Sequence, residues 1–290
     1  MAIRIDSFCY ECLLRRHVAT ARSLGTEEQA TEFARRLLRA CLDAPEDTPS
    51  PVIGTVVSDL LLELYGVPLD RFRQEKEDSN RFVLERMEDI RRRVTGAKDP
   101  GFAGLQMAIL GNYLDYGALQ GQISFDKLEQ MMAEALHMDL DRAVYGRFCA
   151  DLEKGKKLLY LTDNAGEIGF DRICAEVIAK RYPHVQITFC VRGDITLNDA
   201  TRADAAAVGI PFPVIDSGVA IPGTLPELLG AEAKQALETA DVILAKGQGN
   251  AESLLDCGHN IYYAFLVKCI RFEERFQKGK LTPMLVRERD

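Results

Sequence analysis

The run Leu158-Leu159-Tyr160-Leu161-Thr162-Asp163-Asn164-Ala165-Gly166-Glu167 is entered from Lys156-Lys157 and left through a glycine into an amphipathic pattern. Such a pattern reads as a buried parallel strand feeding a helix. Asp163 and Asn164 then stand at the carboxyl end of the strand, where open α/β sheets bind ligands. A carboxylate beside an amide oxygen offers hard donors to a divalent cation. Asp-Asn-Ala-Gly is also good turn chemistry, since Asx side chains bond to nearby backbone N–H groups and glycine takes positive φ. Two further runs repeat the arrangement and weigh against a turn alone. Val185 to Val191 is followed by Arg192-Gly193-Asp194 and Asn198-Asp199-Ala200-Thr201, and Val242-Ile243-Leu244-Ala245 ends in Lys246-Gly247-Gln248-Gly249-Asn250.

Outward from this point the two halves of the chain differ. After Lys154-Gly155-Lys156-Lys157, strands are expected over 158–162, 185–191, 212–215 and 241–245, alternating with helices over 167–182, 199–207, 232–239 and 251–256. A last apolar run covers 261–267, and Pro283-Met284-Leu285-Val286 suits an edge strand. This alternation predicts a doubly wound, mostly parallel α/β sheet with helices on both faces. Before it the period is helical. A first helix begins near Cys12, and others are expected over 27–42, 52–65, 71–94, 102–119, 125–136 and 140–152. Ala44-Pro45-Glu46-Asp47-Thr48-Pro49-Ser50-Pro51 is a loop. The chain therefore divides into a helical part, 1–154, packed on the ligand-bearing edge of an α/β part, 155–290.

Within the helical part, Asp70-Arg71-Phe72-Arg73-Gln74-Glu75-Lys76-Glu77-Asp78 reads as a solvated helix face. In Ile109-Leu110-Gly111-Asn112-Tyr113-Leu114-Asp115-Tyr116-Gly117, the polar Asn112 and Asp115 are i and i+3 amid apolar neighbours. Buried polar groups need partners. The pair either bonds internally or closes a pocket over the strand ends.

The 290 residues are enough for a large core, and 47% hydrophobic with 28% charged content is that of an ordinary globular protein. Acidic residues outnumber basic ones, 44 against 36, for a net charge of -8. That balance disfavours a broad nucleic-acid surface while leaving room for a small phosphate pocket. Met1-Ala2-Ile3-Arg4-Ile5-Asp6 lacks a signal-peptide core, and no apolar run approaches the roughly 20 residues that span a bilayer, so a cytoplasmic, non-membrane protein is expected. Most of the eight cysteines read as small buried hydrophobes. Only Cys9-x-x-Cys12 has metal or redox spacing, and a second such pair is missing.

Taken together, these motifs resemble the metal-dependent damage-control phosphatase family, long catalogued as a domain of unknown function and partly labelled acidic-residue methyltransferase. The matching pieces are Thr162-Asp163-Asn164-Ala165-Gly166-Glu167, Arg192-Gly193 with Asn198-Asp199-Ala200-Thr201, and Lys246-Gly247-Gln248-Gly249-Asn250-Ala251-Glu252. Cys9-x-x-Cys12 and Gly111-Asn112-x-x-Asp115 resemble its microbial branch. The resemblance implies a helical amino-terminal part on a Rossmann-like sheet, and hydrolysis of phosphate monoesters with a divalent cation such as Mn, Co, Ni or Mg. It makes Asp163, Asn164 and Asp199 the metal ligands, gives Glu167 a contact with substrate or metal-bound water, and assigns Asn198 and Lys246 to the phosphate. Asp163 is either nucleophile or metal ligand only. Arg192, Asn112 and Asp115 join the candidate substrate contacts. Asp194-Ile195-Thr196-Leu197 departs from the Pro-containing linker expected in relatives, which leaves the direction of Arg192 open.

The chemistry agrees with that reading. Two carboxylates and an amide leave part of a hard cation's sphere open for phosphate and water. Lys246, beside glycines that let backbone N–H groups approach, offers donors to an anion, or else is a solvated strand terminus. The expected partner is a small phosphorylated metabolite, with the oligomeric state open. The rivals are an S-adenosylmethionine-dependent carboxyl methyltransferase and a non-catalytic phosphometabolite binder. The first is disfavoured by the missing Gly-rich turn after the first strand.

Overall fold

The computed structural model describes residues 5–119 and 122–287. Five parallel strands and one antiparallel edge strand form a single sheet: β1 Lys157–Leu161, β2 Gln186–Val191, β3 Val214–Asp216, β4 Val242–Lys246, β5 Ile261–Leu266 and β6 Pro283–Arg287. Their order, β3-β2-β1-β4-β5-β6, reverses direction at β1. In such a doubly wound sheet the crevice beyond the carboxyl ends at the reversal is the ligand site. Register brings the strand ends level there. Leu161 pairs with Cys190 on one side and Ala245 on the other, and Lys246 pairs with Ala264.

Alternation sorts the strand side chains between two apolar layers. Leu158, Tyr160, Val242 and Leu244 pack against α4 (Arg73–Gly96), α5 (Pro100–Gly111), α7 (Arg142–Lys154) and α8 (Glu167–Arg181). Leu159, Leu161, Ile243 and Ala245 face the other layer, where α10 (Ala231–Thr239), α11 (Gly247–Leu254) and α12 (Ile270–Phe276) lie. The remaining helices are α1 (Ser7–Leu24), α2 (Glu27–Asp43), α3 (Ser50–Tyr65), α6 (Phe125–Glu134) and α9 (Arg202–Ala207).

The cores divide elsewhere than at residue 154. The core beneath α4 to α8 runs from Phe82 and Leu105 through Phe148 to Tyr160 and Phe189, crossing that point without a break. The segment with a core of its own is α1–α3, built on Phe33, Leu37, Ile53, Val57 and Leu61. It reaches the carboxyl edge of the sheet, where a Cβ added at Gly223 would meet Pro51 and one added at Gly54 would meet Pro222.

Helix α5 ends at Gly111 instead of running to residue 119. Phe170 explains the close crossing there: a Cβ at Gly111 would lie 2.8 Å from its ring. Beyond it Asn112 to Leu119 form a turn-rich loop, so Asn112 and Asp115 do not share a helix face as expected. Among the described residues no helix is long and apolar enough to cross a membrane.

Candidate functional site

The loop after β1 is locked by its neighbours. Ala165 N–H donates to the carbonyl of Asn198 at 2.9 Å and Ala200 N–H to that of Asp163 at 2.7 Å, so Asn164 and Asp199 lie side by side as an isolated antiparallel bridge. Gly166 turns the chain at φ 75 into α8, and its N–H donates to Asn80 Oδ1 at 2.7 Å. At the end of β4, Gly247 takes φ +78, and a Cβ there would stand 2.0 Å from Asp163 Oδ2. The absent side chain at residue 247 is thus the room in which the Asp163 carboxylate sits.

Asp163 and Asp199 are both buried, 7% and 4% exposed. Asp163 Oδ2 accepts from Asn112 Nδ2 at 2.9 Å and Asn164 Nδ2 at 2.7 Å. Asp199 Oδ2 accepts from Arg192 Nε at 2.7 Å. No donor among the described residues hydrogen-bonds the other oxygen of either group; Arg192 Nη2 comes nearest, 3.7 Å from Asp163 Oδ1. Burial, then the charges of Glu167 and Asp199, hold the Asp163 carboxyl well above the usual range against the pull of Lys268. Burial likewise raises Asp199 to about 6, with Arg192 opposing it. Burial and the neighbouring carboxylates thus work against the charged form of both groups, which a hard cation between them would offset. Its donors are two carboxylates and an amide; among the described residues no group of three or more His, Cys, Asp or Glu side chains is placed to hold a metal ion. Asn164 Oδ1, the third donor, accepts from Asn198 Nδ2 at 3.0 Å. An oxygen has a second lone pair to give, so this donor set fits a hard cation that keeps other positions for water or substrate.

The hydrogen bonds of three residues differ from the roles expected of them. Lys246 is fully buried and its ammonium is saturated, donating to Glu167 Oε1 at 2.6 Å, Asp171 Oδ1 at 2.7 Å and the carbonyl of Ala108 at 2.8 Å. With three donors spent it holds carboxylates rather than a phosphate. Burial works against its charge, but Asp171 and Glu167 more than offset this and keep its pKa above the usual lysine value. Glu167 is equally buried. Its Oε2 accepts from the Asn164 side chain at 2.8 Å and Asn112 Nδ2 at 3.0 Å, so it orients the residues around Asp163 instead of facing substrate. Asn198 spends both amide hydrogens, on Leu114 O at 2.8 Å and on Asn164 Oδ1, while its oxygen accepts from Tyr116 N–H at 3.2 Å. It ties the 114–117 loop to the site and has no hydrogen left for an anion.

Arg192, whose direction the sequence left open, points inward. Its Nη1 donates to Gly223 O at 2.8 Å and Asn250 Oδ1 at 3.2 Å, while Nη2 is buried with no hydrogen-bond partner. Asn112 reaches Asp163 and Glu167, and its oxygen accepts from Leu266 N–H at 3.1 Å. Asp115 meets Lys268 Nζ at 2.7 Å. Lys268, two residues beyond β5, is a basic group that the strand-end motifs did not reveal. Asp115 is the one acceptor its ammonium has among the described residues, and its charge is felt at Asp163. The carboxyl-end rule applied to three strands would have found it on the fourth. Cys9 and Cys12 lie on α1, with Cys9 Sγ 3.5 Å from Arg271 Nη1 and Cys12 Sγ 4.0 Å from Arg16 Nη1.

Residues 5–281 match the model of the damage-control phosphatase ARMT1-like domain. An uncharacterised protein of Methanocaldococcus jannaschii is 32% identical over 92% of the chain and 90% of its own length. A damage-control phosphatase of Pyrococcus horikoshii is 28% identical over 95% and 96%, and one of Archaeoglobus fulgidus 28% over 88% of each. The crystal structure of a DUF89 family protein from P. horikoshii superimposes with a TM-score of 0.82 across 99% of both chains at 22% identity, which matches the fold.

Proposed function

The chain belongs to the damage-control phosphatase ARMT1-like domain family, and from that premise we propose that it hydrolyses phosphate monoesters of small metabolites at the carboxyl edge of its sheet. A divalent cation (Mn, Co, Ni or Mg) is held by Asp163, Asn164 and Asp199. One observation carries the reading: two buried carboxylates share Arg192 as neighbour, each with an oxygen that no hydrogen bond among the described residues occupies, next to cationic groups with unspent donors. The phosphatase names of the two archaeal relatives support it.

Phosphoryl transfer needs the non-bridging oxygens neutralised and the attacking and leaving oxygens in line. When bound, the cation polarises a phosphoryl oxygen and lowers the pKa of water. The chain's own groups do the rest. Arg192 Nη2 and Lys268 Nζ donate charge-assisted hydrogen bonds to the phosphate. Asn112 and Glu167 fix the Asp163 and Asn164 rotamers, and Lys246 fixes Glu167. Arg192 also keeps Asp199 ionised at neutral pH by opposing the effect of burial.

The test is phosphate release from a panel of phosphomonoesters with each metal and with chelator, run beside an assay of methyl transfer from S-adenosylmethionine. Release that depends on metal is expected. Methyl transfer without any phosphate release would overturn the proposal in favour of the methyltransferase.

A further inference from the structure

A second group of basic side chains lies just outside the pocket, on the α1–α3 unit and the loop after it. Arg16 and His17 are on α1, and Arg71 precedes α4; all three are half-buried. The charged stretch 70–78, expected to be solvated, thus turns its second residue inward. Arg16 Nη2 donates to the carbonyl of Gly117, while its Nε is buried without a partner. Arg71 lies over the Phe72 ring at 5.0 Å, and no acceptor among the described residues takes its guanidinium. Among the described residues neither arginine has a carboxylate partner, in a chain with eight more acidic than basic residues (44 against 36). Arg16 bonds Gly117, and the ring beneath Arg71 packs on Tyr116, so the two arginines meet adjacent residues of one loop; burial, then their charges, push the His17 imidazole down to about 4. Half-buried cations without a countercharge are costly, and a site that keeps them is arranged for an anion.

The group adjoins the catalytic pocket through the loop after α5. Gly117, whose carbonyl takes Arg16, turns its N–H to Asn198 Oδ1 at 3.4 Å, and Asn198 immediately precedes Asp199. A Cβ at Gly117 would lie 3.3 Å from Asp115 Oδ1, and Asp115 in turn holds Lys268. Phe72, beneath Arg71, packs its ring 6.3 Å from that of Tyr116 in the same loop.

We propose that Arg16, His17 and Arg71 form a second anion subsite on the α1–α3 side of the pocket, so that the preferred substrates are phosphate monoesters carrying a second anionic group, a carboxylate or phosphate, at their far end. This rests on the phosphatase reading of the pocket. Lys268 and Arg192 take the scissile phosphate, and the arginines take the distal anion in charge-assisted hydrogen bonds.

The test uses the full chain with Mn and two series of alkyl phosphates over a range of tether lengths, one ending in a carboxylate and the other in its neutral amide isostere. The subsite predicts that at one tether length the wild type prefers the carboxylate in kcat/KM by about tenfold or more, the effect of one charge-assisted hydrogen bond. Arg71→Gln is expected to collapse this ratio toward one, and Arg71→Lys to restore part of it. Equal kcat/KM for the two series at every tether overturns the subsite and leaves the phosphatase reading intact. So does a wild-type preference that Arg71→Gln and Arg16→Gln, both unfolding at the wild-type midpoint, leave untouched. Because the wild-type comparison needs no variant, failure of a variant to fold does not remove the test. Absence of phosphate release from either series strikes the phosphatase reading itself.

Discussion

Replacing Lys246 with methionine keeps the length of the side chain, removes its charge and strands two buried acids. The ammonium is the cation for Glu167 and Asp171, both fully buried, at 2.6 and 2.7 Å. Breaking a buried ion pair by deleting one partner costs about 3–5 kcal/mol, because the remaining charge has no counterion. For a chain of 290 residues that is a fall in melting temperature of about 5–8 °C, from the usual unfolding entropy per residue. The loss has a pH signature. Burial already raises Asp171 to about 7 against the opposing charge of Lys246. A folded pKa above the unfolded value means that the native state holds the proton more tightly, so stability is lost as pH rises through that interval. Without the ammonium the folded pKa of Asp171 climbs further, and the gap between wild type and variant widens above pH 7 and narrows toward pH 5. Denaturant unfolding at pH 5, 7 and 8.5, with kcat and KM at the same values, reads this directly. The expected kinetic change is a lower kcat with KM for the phosphate ester nearly unchanged, since Glu167 no longer holds Asn164 and Asn112 in place. A variant that unfolds with the wild type at every pH and shows only a raised KM would refute this account and return Lys246 to the phosphate.

Lys268→Ala is expected to raise KM and lower kcat/KM by about ten- to a hundredfold, and also to lower the melting temperature because Asp115 loses its partner, measured by steady-state hydrolysis and thermal unfolding. Gly247→Ala is expected to abolish hydrolysis and to destabilise the fold by at least about 1 kcal/mol, since residue 247 has φ +78 and its new methyl would strike Asp163; normal turnover in this variant would contradict the site geometry. Burial raises Glu252 from 4.5 to about 7, with Arg271 opposing, so native stability should decline as pH rises through that window. Glu252→Gln should flatten the slope in a plot of melting temperature against pH from 4 to 8.

The sheet was legible because each parallel strand is an apolar run with polar residues at its carboxyl end, and a doubly wound sheet repeats this unit. The antiparallel edge strand β6 was legible as a short apolar run opened by Pro283, a residue that sheets tolerate at an edge. The end of α5 was not: Tyr113, Leu114, Tyr116 and Leu119 are apolar because the loop is packed inward, and with them sequence periodicity cannot separate the loop from a continuing helix. Helix α12 went unread because seven residues, Ile270–Phe276, are too few to show a period. The direction of Lys246 follows from strand alternation. Val242 and Leu244 face α8, so residue 246 points to the same layer by strand alternation and meets Asp171 there. The roles of Asn198 and Glu167 depend on which amide hydrogens and oxygens their neighbours use, and residue order does not carry that information.

The central claim is that a cation held between Asp163 and Asp199 is needed for phosphate release. Wild type, Asp163→Ala and Asp199→Ala are stripped with chelator and titrated with Mn while release from one simple phosphomonoester is followed. Thermal unfolding checks that both variants are folded, with Asp199→Ala expected to melt lower because it leaves the buried Arg192 without its carboxylate partner. The account predicts no release from stripped wild type, recovery on adding metal, and no recovery in either variant at any metal concentration the wild type needs. Full turnover by stripped wild type, or wild-type recovery by either variant at the same metal concentration, would contradict it.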